Sequence, residues 1–216
     1  MNPSVVLGAA AAAICGAAVT AAILGRRKRF TWRSSHRLES GGATCVIRAA
    51  QRADADAVIA FVYKLAAADG GVSQVTVSTA TIRRAFVAGE IHALLVELEG
   101  VVVAMAVVQE SFRTFTGHSL YLQDLIVDQA HRGAGIGTLL LSVLAEVAEV
   151  HHRESSCDGT PMVFWESHAG NYKANRFYAG TVGAETTSGD QQHLIWKLRG
   201  SALHSMRPRR KDFVLA

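Results

Sequence analysis

Three cysteines in 216 residues, Cys15, Cys45 and Cys157, are too few and too scattered for a disulfide framework or a zinc site. Reduced thiols and no metal are expected. Charge is also scarce, at 19% of residues, while half are hydrophobic, a balance that excludes wholesale disorder. No internal repeat is present, and the length suits one domain with extensions. Acidic residues are missing altogether from the first 38 positions. The net charge of +4 is therefore uneven: residues 26–37 hold six Lys/Arg and residues 207–211 hold four. Setting these ten aside, with Glu39 and Asp212, leaves 12 basic against 16 acidic residues. Basicity belongs to the flanks, which excludes a domain-wide nucleic-acid face.

The first flank opens with 20 uncharged residues, Val5 to Leu24, followed at once by RRKR. As a helix this run spans roughly 30 Å, about one bilayer core. Basic charge only on its C-terminal side fits an anchor with the remainder in the cytosol and not a cleaved signal, whose charge precedes the apolar core. The expected organisation is a membrane anchor over 1–25, a basic linker over 26–42, a domain over 43–199 and a loose basic tail over 200–216. Cytoplasmic and mitochondrial locations are the alternatives.

Within the domain, residues 44–48 read as a strand. A helix capped by Asp54 or Asp56 carries Val58, Phe61, Val62 and Leu65 on one stripe. Residues 79–88 are helix-compatible, with Ile82 and Phe86 on one face. Apolar runs at 91–98 and 101–112, joined by Glu99–Gly100, predict a hairpin. Residues 119–127 form another strand, followed by a glycine loop and a long helix with Leu140, Val143, Leu144 and Val147 inward and Glu146, Glu149 and Arg153 outward. Strands at 161–167 and 193–198 flank a short helix stopped by Gly180. Hairpin-linked strands pair antiparallel, and the crossover through the glycine loop is parallel. The fold class is α/β, a mixed sheet with helices on both faces.

The loop Arg132-Gly133-Ala134-Gly135-Ile136-Gly137-Thr138 lacks the GxGxxG spacing of dinucleotide folds and the Lys of a P-loop. Two readings stay open from the loop alone: a diphosphate cradle at a helix N-terminus, and a ligand-free strand-to-helix turn.

The segment YLQDLIVDQAHRGAGIGTLLLSVLAEVA, followed by NYKANRFYAGTVGA, resembles the GNAT acetyltransferase superfamily. Arg132, Gly135 and Gly137 fill its acetyl-CoA loop pattern, (Q/R)xxGx(G/A), and the similarity runs from about Thr44 to Leu198. It is nearest the spermidine/spermine and thialysine branch, known by a YLED-type strand and an NxxAxxFY helix. The resemblance implies a GNAT-like, mainly antiparallel sheet, a homodimer, and acetyl transfer from acetyl-CoA to a primary amine in a ternary complex. It implies that backbone N–H groups at Leu125, Ile126 and Val127 receive the thioester and pantetheine, and that residues 132–138, with Ala134, Ile136 and Thr138 among them, hold the diphosphate. Asn171 meets the pantetheine, and Tyr178 is the general acid. A phenol is protonated at neutral pH and can donate to a thiolate. The branch's basic Glu is replaced here by Gln123, which cannot take a proton. Asp124 beside it is the candidate base, and both residues face the amine substrate. Glu97, Glu110, His118 and Glu166 are further base candidates read as surface residues. A CoA-binding module without turnover and a peptide-amine acetyltransferase are the rival functions.

Overall fold

In a computed structural model of the chain, residues 35–40, 43–68, 70–155, 158–188 and 193–206 are described, within the compact unit Trp32–Ala216. The apolar run 5–24, the basic residues 26–33 and the cluster 207–211 lie outside them. Eight strands make one sheet: β1 (Ser35–Ser40), β2 (Ala43–Ala49), β3 (His92–Leu98), β4 (Val101–Arg113), β5 (Gly117–Val127), β6 (Met162–His168), β7 (Glu185–Ser188) and β8 (His193–Arg199). The helices are α1 (Ala55–Ala68), α2 (Thr79–Ala88), α3 (Ile136–Glu154), α4 (Tyr172–Arg176) and α5 (Gly200–Met206).

The spatial order is β1-β2-β3-β4-β5-β6-β8-β7. Every neighbouring pair is antiparallel except β5 and β6, which are joined through α3 and run parallel. The β3–β4 turn forms as its dipeptide predicts, with φ of 48° at Glu99 and 80° at Gly100, the positive pair of a tight hairpin turn. Strands β3 and β4 are apolar without alternation because both of their faces are covered. On one face Val58 and Phe61 of α1 join Ile91, Ala93, Leu95, Met105, Val107 and Ile126, with Ile82 and Phe86 of α2 packed beside them. On the other face α3 buries every residue from Leu139 to Ala145.

Five local expectations are corrected. The segment read as linker enters the sheet as β1, paired with β2 from Ser35↔Arg48 to Ser40↔Ala43; with one apolar residue in SHRLES it carries no strand periodicity, and backbone pairing makes it. The tail read as loose begins with α5, which buries Leu203 and Met206. For the same reason Glu149 of α3 does not face outward: its carboxylate meets His204 Nδ1 at 2.7 Å. The helix after β6 runs past Gly180 as a π-helical turn, Phe177–Val182, and stops at Gly183, whose φ is 69°. Finally, Asp54 ends a short 3-10 turn rather than capping α1: its carboxylate takes both terminal amino groups of Arg48 at 2.8 and 2.9 Å. No helix among the described residues is long and apolar enough to cross a membrane.

Candidate active site

The site is built around an irregularity in β5. Val107 lies opposite Asp124 and Val108 lies opposite Leu122, so Gln123 is an extra residue with no partner on β4. Such a bulge reverses the alternation of side chains along a strand. Leu125 and Val127, opposite Ala106 and Ala104, consequently face α3, whereas Asp124 shares the α1/α2 face with Tyr121 and Ile126. Gln123 is exposed, Asp124 is half-buried, and Ile126 is buried in the α1/α2 core.

Beyond the bulge, β5 loses its neighbour. Its parallel pairing with β6 covers Leu120↔Val163 and Tyr121↔Phe164, while β6 stays paired to β8 through His168. The two strands thus part into a wedge. The Asp128 N–H donates to Val103 O at 2.8 Å, which sets the polarity of the β4–β5 ladder. Alternate residues bond alternate ways in an antiparallel pair, so the Ile126 N–H is turned toward β4 and those of Leu125 and Val127 point into the wedge. Of the three residues expected to supply donors, Ile126 is therefore excluded.

The chain leaves β5 through a turn held by Asp128, whose carboxylate accepts the Ala130 N–H at 3.3 Å and pairs with Lys64 of α1. The Lys64 ammonium first, then that N–H, holds its carboxyl below the ordinary aspartate range. Gly133 and Gly135 follow with φ of 86° and 78°, a region closed to most side chains. Gly135 is the N-cap of α3, and the first cap bond runs from Leu139 N–H to Gly135 O at 3.0 Å. The N–H groups of Ile136, Gly137 and Thr138 have no helical partner in such an arrangement. A Cβ at Gly133 would meet nothing within 4 Å, so the loop stands open on that side. Ile136 is buried beneath it, and Ala134 is half-buried. This cradle suits an extended anion such as the diphosphate of CoA. Arg132 is exposed, and its Nε donates to Val127 O at 3.1 Å, tying the loop to the end of the open strand edge.

The third wall is α4. Phe177 closes it on the loop, its ring lying 3.4 Å from where a Gly137 Cβ would stand. Asn171 is the N-cap, and its Oδ1 accepts from Ala174 N–H at 3.3 Å, leaving the amide NH₂ to face outward. Tyr178 is buried against Trp165 and Trp196, with ring centroids 5.0 and 5.6 Å away. Those two tryptophans are register partners on the α3 face of the sheet. Burial pushes the Tyr178 phenol up to about 12, so it stays protonated at physiological pH.

On the opposite face of the wedge stands a second group. The Tyr121 and Phe164 rings pack at 5.0 Å, and the Arg113 guanidinium lies over Phe164 at 4.8 Å. Burial, then the charges of Glu166 and Asp124, raise the Tyr121 phenol above its ordinary range. Burial also raises Asp124 above the usual carboxylate range. Glu166, read from the sequence as a surface residue, thus stands on the β6 lip across from Asp124. Residues two apart on a strand share a face, and Phe164 sets which face it is. The other base candidates lie elsewhere: Glu97 pairs with Arg48, Glu110 lies between His92 and His151, and His118 packs on Phe112 and His151.

The chain matches the Acetyltransferase (GNAT) family over residues 59–183. No curated protein matches it significantly. Among solved structures, it is similar to a GNAT-family acetyltransferase from Listeria monocytogenes at 14% identity and a TM-score of 0.55, covering 76% of this chain and 100% of that one. It is similar to yncA from Salmonella typhimurium, solved with its cofactor acetyl-CoA, at 21% identity and a TM-score of 0.54, with 72% and 93% covered. It also resembles an aminoglycoside acetyltransferase from a soil metagenomic sample, in complex with sisomicin, at 15% identity and a TM-score of 0.53, with 67% and 92% covered.

Proposed function

We propose, for a chain that belongs to the acetyltransferase (GNAT) family, that the wedge joins acetyl-CoA to a small primary amine arriving from the other side of the sheet. One observation carries this reading. β5 parts from β6 just past Tyr121↔Phe164, with Asp124 on the α1/α2 face of the parting and the buried phenol Tyr178 packed on Trp165 of β6 on the other face.

When bound, acetyl-CoA supplies an acetyl group activated as a thioester. The glycine loop and the first N–H groups of α3 hold its diphosphate, and the amide of Asn171 meets the pantetheine. The Leu125 and Val127 N–H groups receive the arm and the carbonyl oxygen, on which negative charge grows as the amine attacks. Fixed donors in a site shielded from water stabilise that charge most. Asp124 takes the proton that the incoming ammonium must lose; its desolvation makes it a stronger base than an exposed aspartate. As the C–N bond forms and the C–S bond breaks, the nitrogen sheds its second proton to solvent, the Tyr178 hydroxyl gives its proton to sulfur, and Asp124 and Tyr178 then regain their starting states by exchange with solvent. Gln123, beside Asp124 on the bulge, contacts the acceptor without taking a proton.

The acceptor we favour is a polyamine, a thialysine-like amino acid or another small amine. The similarity to a structure holding sisomicin adds amine-rich sugars to that range. A thiol-release assay with purified full-length protein decides the matter, using polyamines, thialysine, aminoglycosides, simple amines and peptides as acceptors. Release with small amines is expected. Release with peptides only would assign a protein substrate, and thermal stabilisation by acetyl-CoA without release in any case would mean a CoA-binding module. Residues 5–24 are proposed as an anchor leaving the domain in the cytosol. The protein should then pellet with membranes and resist carbonate extraction, and recovery in the high-speed supernatant would overturn this.

A further inference from the structure

The segment that carries Tyr178 cannot hold itself in place. Helix α4 has five residues, far fewer than a helix needs for stability of its own, and Tyr178 sits on the π-helical turn that follows. Its direction must come from outside, and one side chain links it to the wedge. Asn175 Nδ2 donates to the carbonyls of His168 and Ala169 at 3.2 and 3.0 Å, at the end of β6. Its Oδ1 accepts from the Ser167 hydroxyl at 2.6 Å. The Ser167 oxygen in turn accepts from the Trp196 indole N–H at 2.8 Å, and the Trp196 ring packs on Tyr178. Both amide hydrogens and the carbonyl oxygen of Asn175 are spent on one path from the β6 lip, through Ser167 and Trp196, to the Tyr178 ring.

We propose that Asn175 is a positioning residue for acetyl transfer, holding the Tyr178 hydroxyl in register with the β6 lip through Ser167 and Trp196. This rests on the reading of Tyr178 as proton donor to the leaving sulfur. The amide is suited to the task because it accepts from one strand residue while donating to two carbonyls. Neither Asp nor Ser does both. Removing it takes one partner from the half-buried Ser167 hydroxyl and from two carbonyls and frees α4 to shift against β6. Misplacement of a catalytic group by about 1 Å costs on the order of 100-fold in rate.

The test is a double-mutant cycle in the full-length protein, read as kcat and KM in the thiol-release assay, with the acetyl-CoA thermal shift as a check on folding. Asn175→Ala should lower kcat roughly 10- to 100-fold with KM for acetyl-CoA within about twofold. Ser167→Ala should act in the same direction, and Ser167→Thr, which keeps the hydroxyl, should restore most of the rate. In a Tyr178→Phe background the Asn175→Ala loss should vanish, because a residue that acts through the phenol has nothing left to position. Equal losses in both backgrounds would make Asn175 a general packing residue and overturn the proposal. A Tyr178→Phe enzyme as fast as wild type would overturn the proton-donor reading and the positioning role with it. Should Asn175→Ala fail to fold, the Ser167→Ala and Ser167→Thr pair in the two backgrounds gives the same decision.

Discussion

The two sides of the wedge are made of different materials. The side toward the glycine loop presents main-chain N–H groups: Leu125 and Val127 on an open strand edge, and the first turn of α3 behind Gly135. The side toward α1 and α2 presents side chains, Tyr121, Asp124, Phe164 and Glu166, brought together by a bulge at Gln123. A backbone site constrains sequence only where a side chain would intrude. A side-chain site depends on each residue's charge and on which face it occupies. The first can bind one unchanging ligand under many sequences, and the second can be retuned residue by residue for different acceptors.

Breaking the backbone side should give the largest effect. Gly135→Asp puts a carboxylate in the cradle proposed for the diphosphate, and acetyl-CoA should no longer raise the melting temperature. Saturation at a hundredfold over Kd stabilises the unaltered protein by about 2.7 kcal/mol, which is several degrees for a domain of this size. A full shift in the variant would show that the loop is not the cradle.

Breaking the side-chain side should leave that shift intact. Asp124→Asn should lower kcat roughly 10²- to 10⁴-fold. The wild-type rate should fall as pH drops through the raised Asp124 pKa, at a pH above the ordinary aspartate range, and the variant should lose that limb. The sign for stability is opposite. Burial disfavours ionised Asp124, so its charge is a cost to the fold above that pKa and is relieved below it. Asp124→Asn should accordingly melt higher than wild type at neutral pH. An inactive variant that also melts lower would point to structural damage.

The finest contrast lies within one residue. Leu125→Pro removes a strand-edge N–H that β4 does not use, and should cost roughly 10²- to 10³-fold in kcat while the fold survives. Leu125→Val, which keeps the N–H, should change kcat less than about threefold. Equal rates for the two variants would mean that this N–H is not the oxyanion donor.

This contrast also explains what could be read from the chain alone. Gly133 and Gly135 announce themselves because their φ values admit few other residues, and Tyr178 follows Asn171 at a spacing tied to a familiar helix. The hairpin around Glu99 and the core faces of α1 and α2 were equally visible in periodicity. The acceptor side was not. An extra residue at Gln123 leaves no mark on composition or period, yet it decides that Asp124 faces Tyr121, so strict alternation from Gln123 misleads. Glu166 looks like any exposed glutamate until the Tyr121↔Phe164 register places it on the lip. Asn175 reads as a polar residue in a short helix, since its partners His168, Ala169 and Ser167 belong to the preceding strand and turn. β1 and β7 are short and mostly polar and are held by backbone pairing, and α5 is a seven-residue helix held by burying Leu203 and Met206, none of which a local pattern encodes.

The parting of β5 and β6 has a consequence for inhibitors. A molecule that joins the pantetheine arm covalently to an amine would occupy both faces of the sheet at once, with its linking atoms in the slot past Tyr121 and Phe164. To depart, it must let go of both faces together, which on the proposed reading neither substrate nor either product has to do. Such a conjugate should owe its grip to slow escape as much as to the sum of its contacts, and its residence time would gauge how far the slot opens.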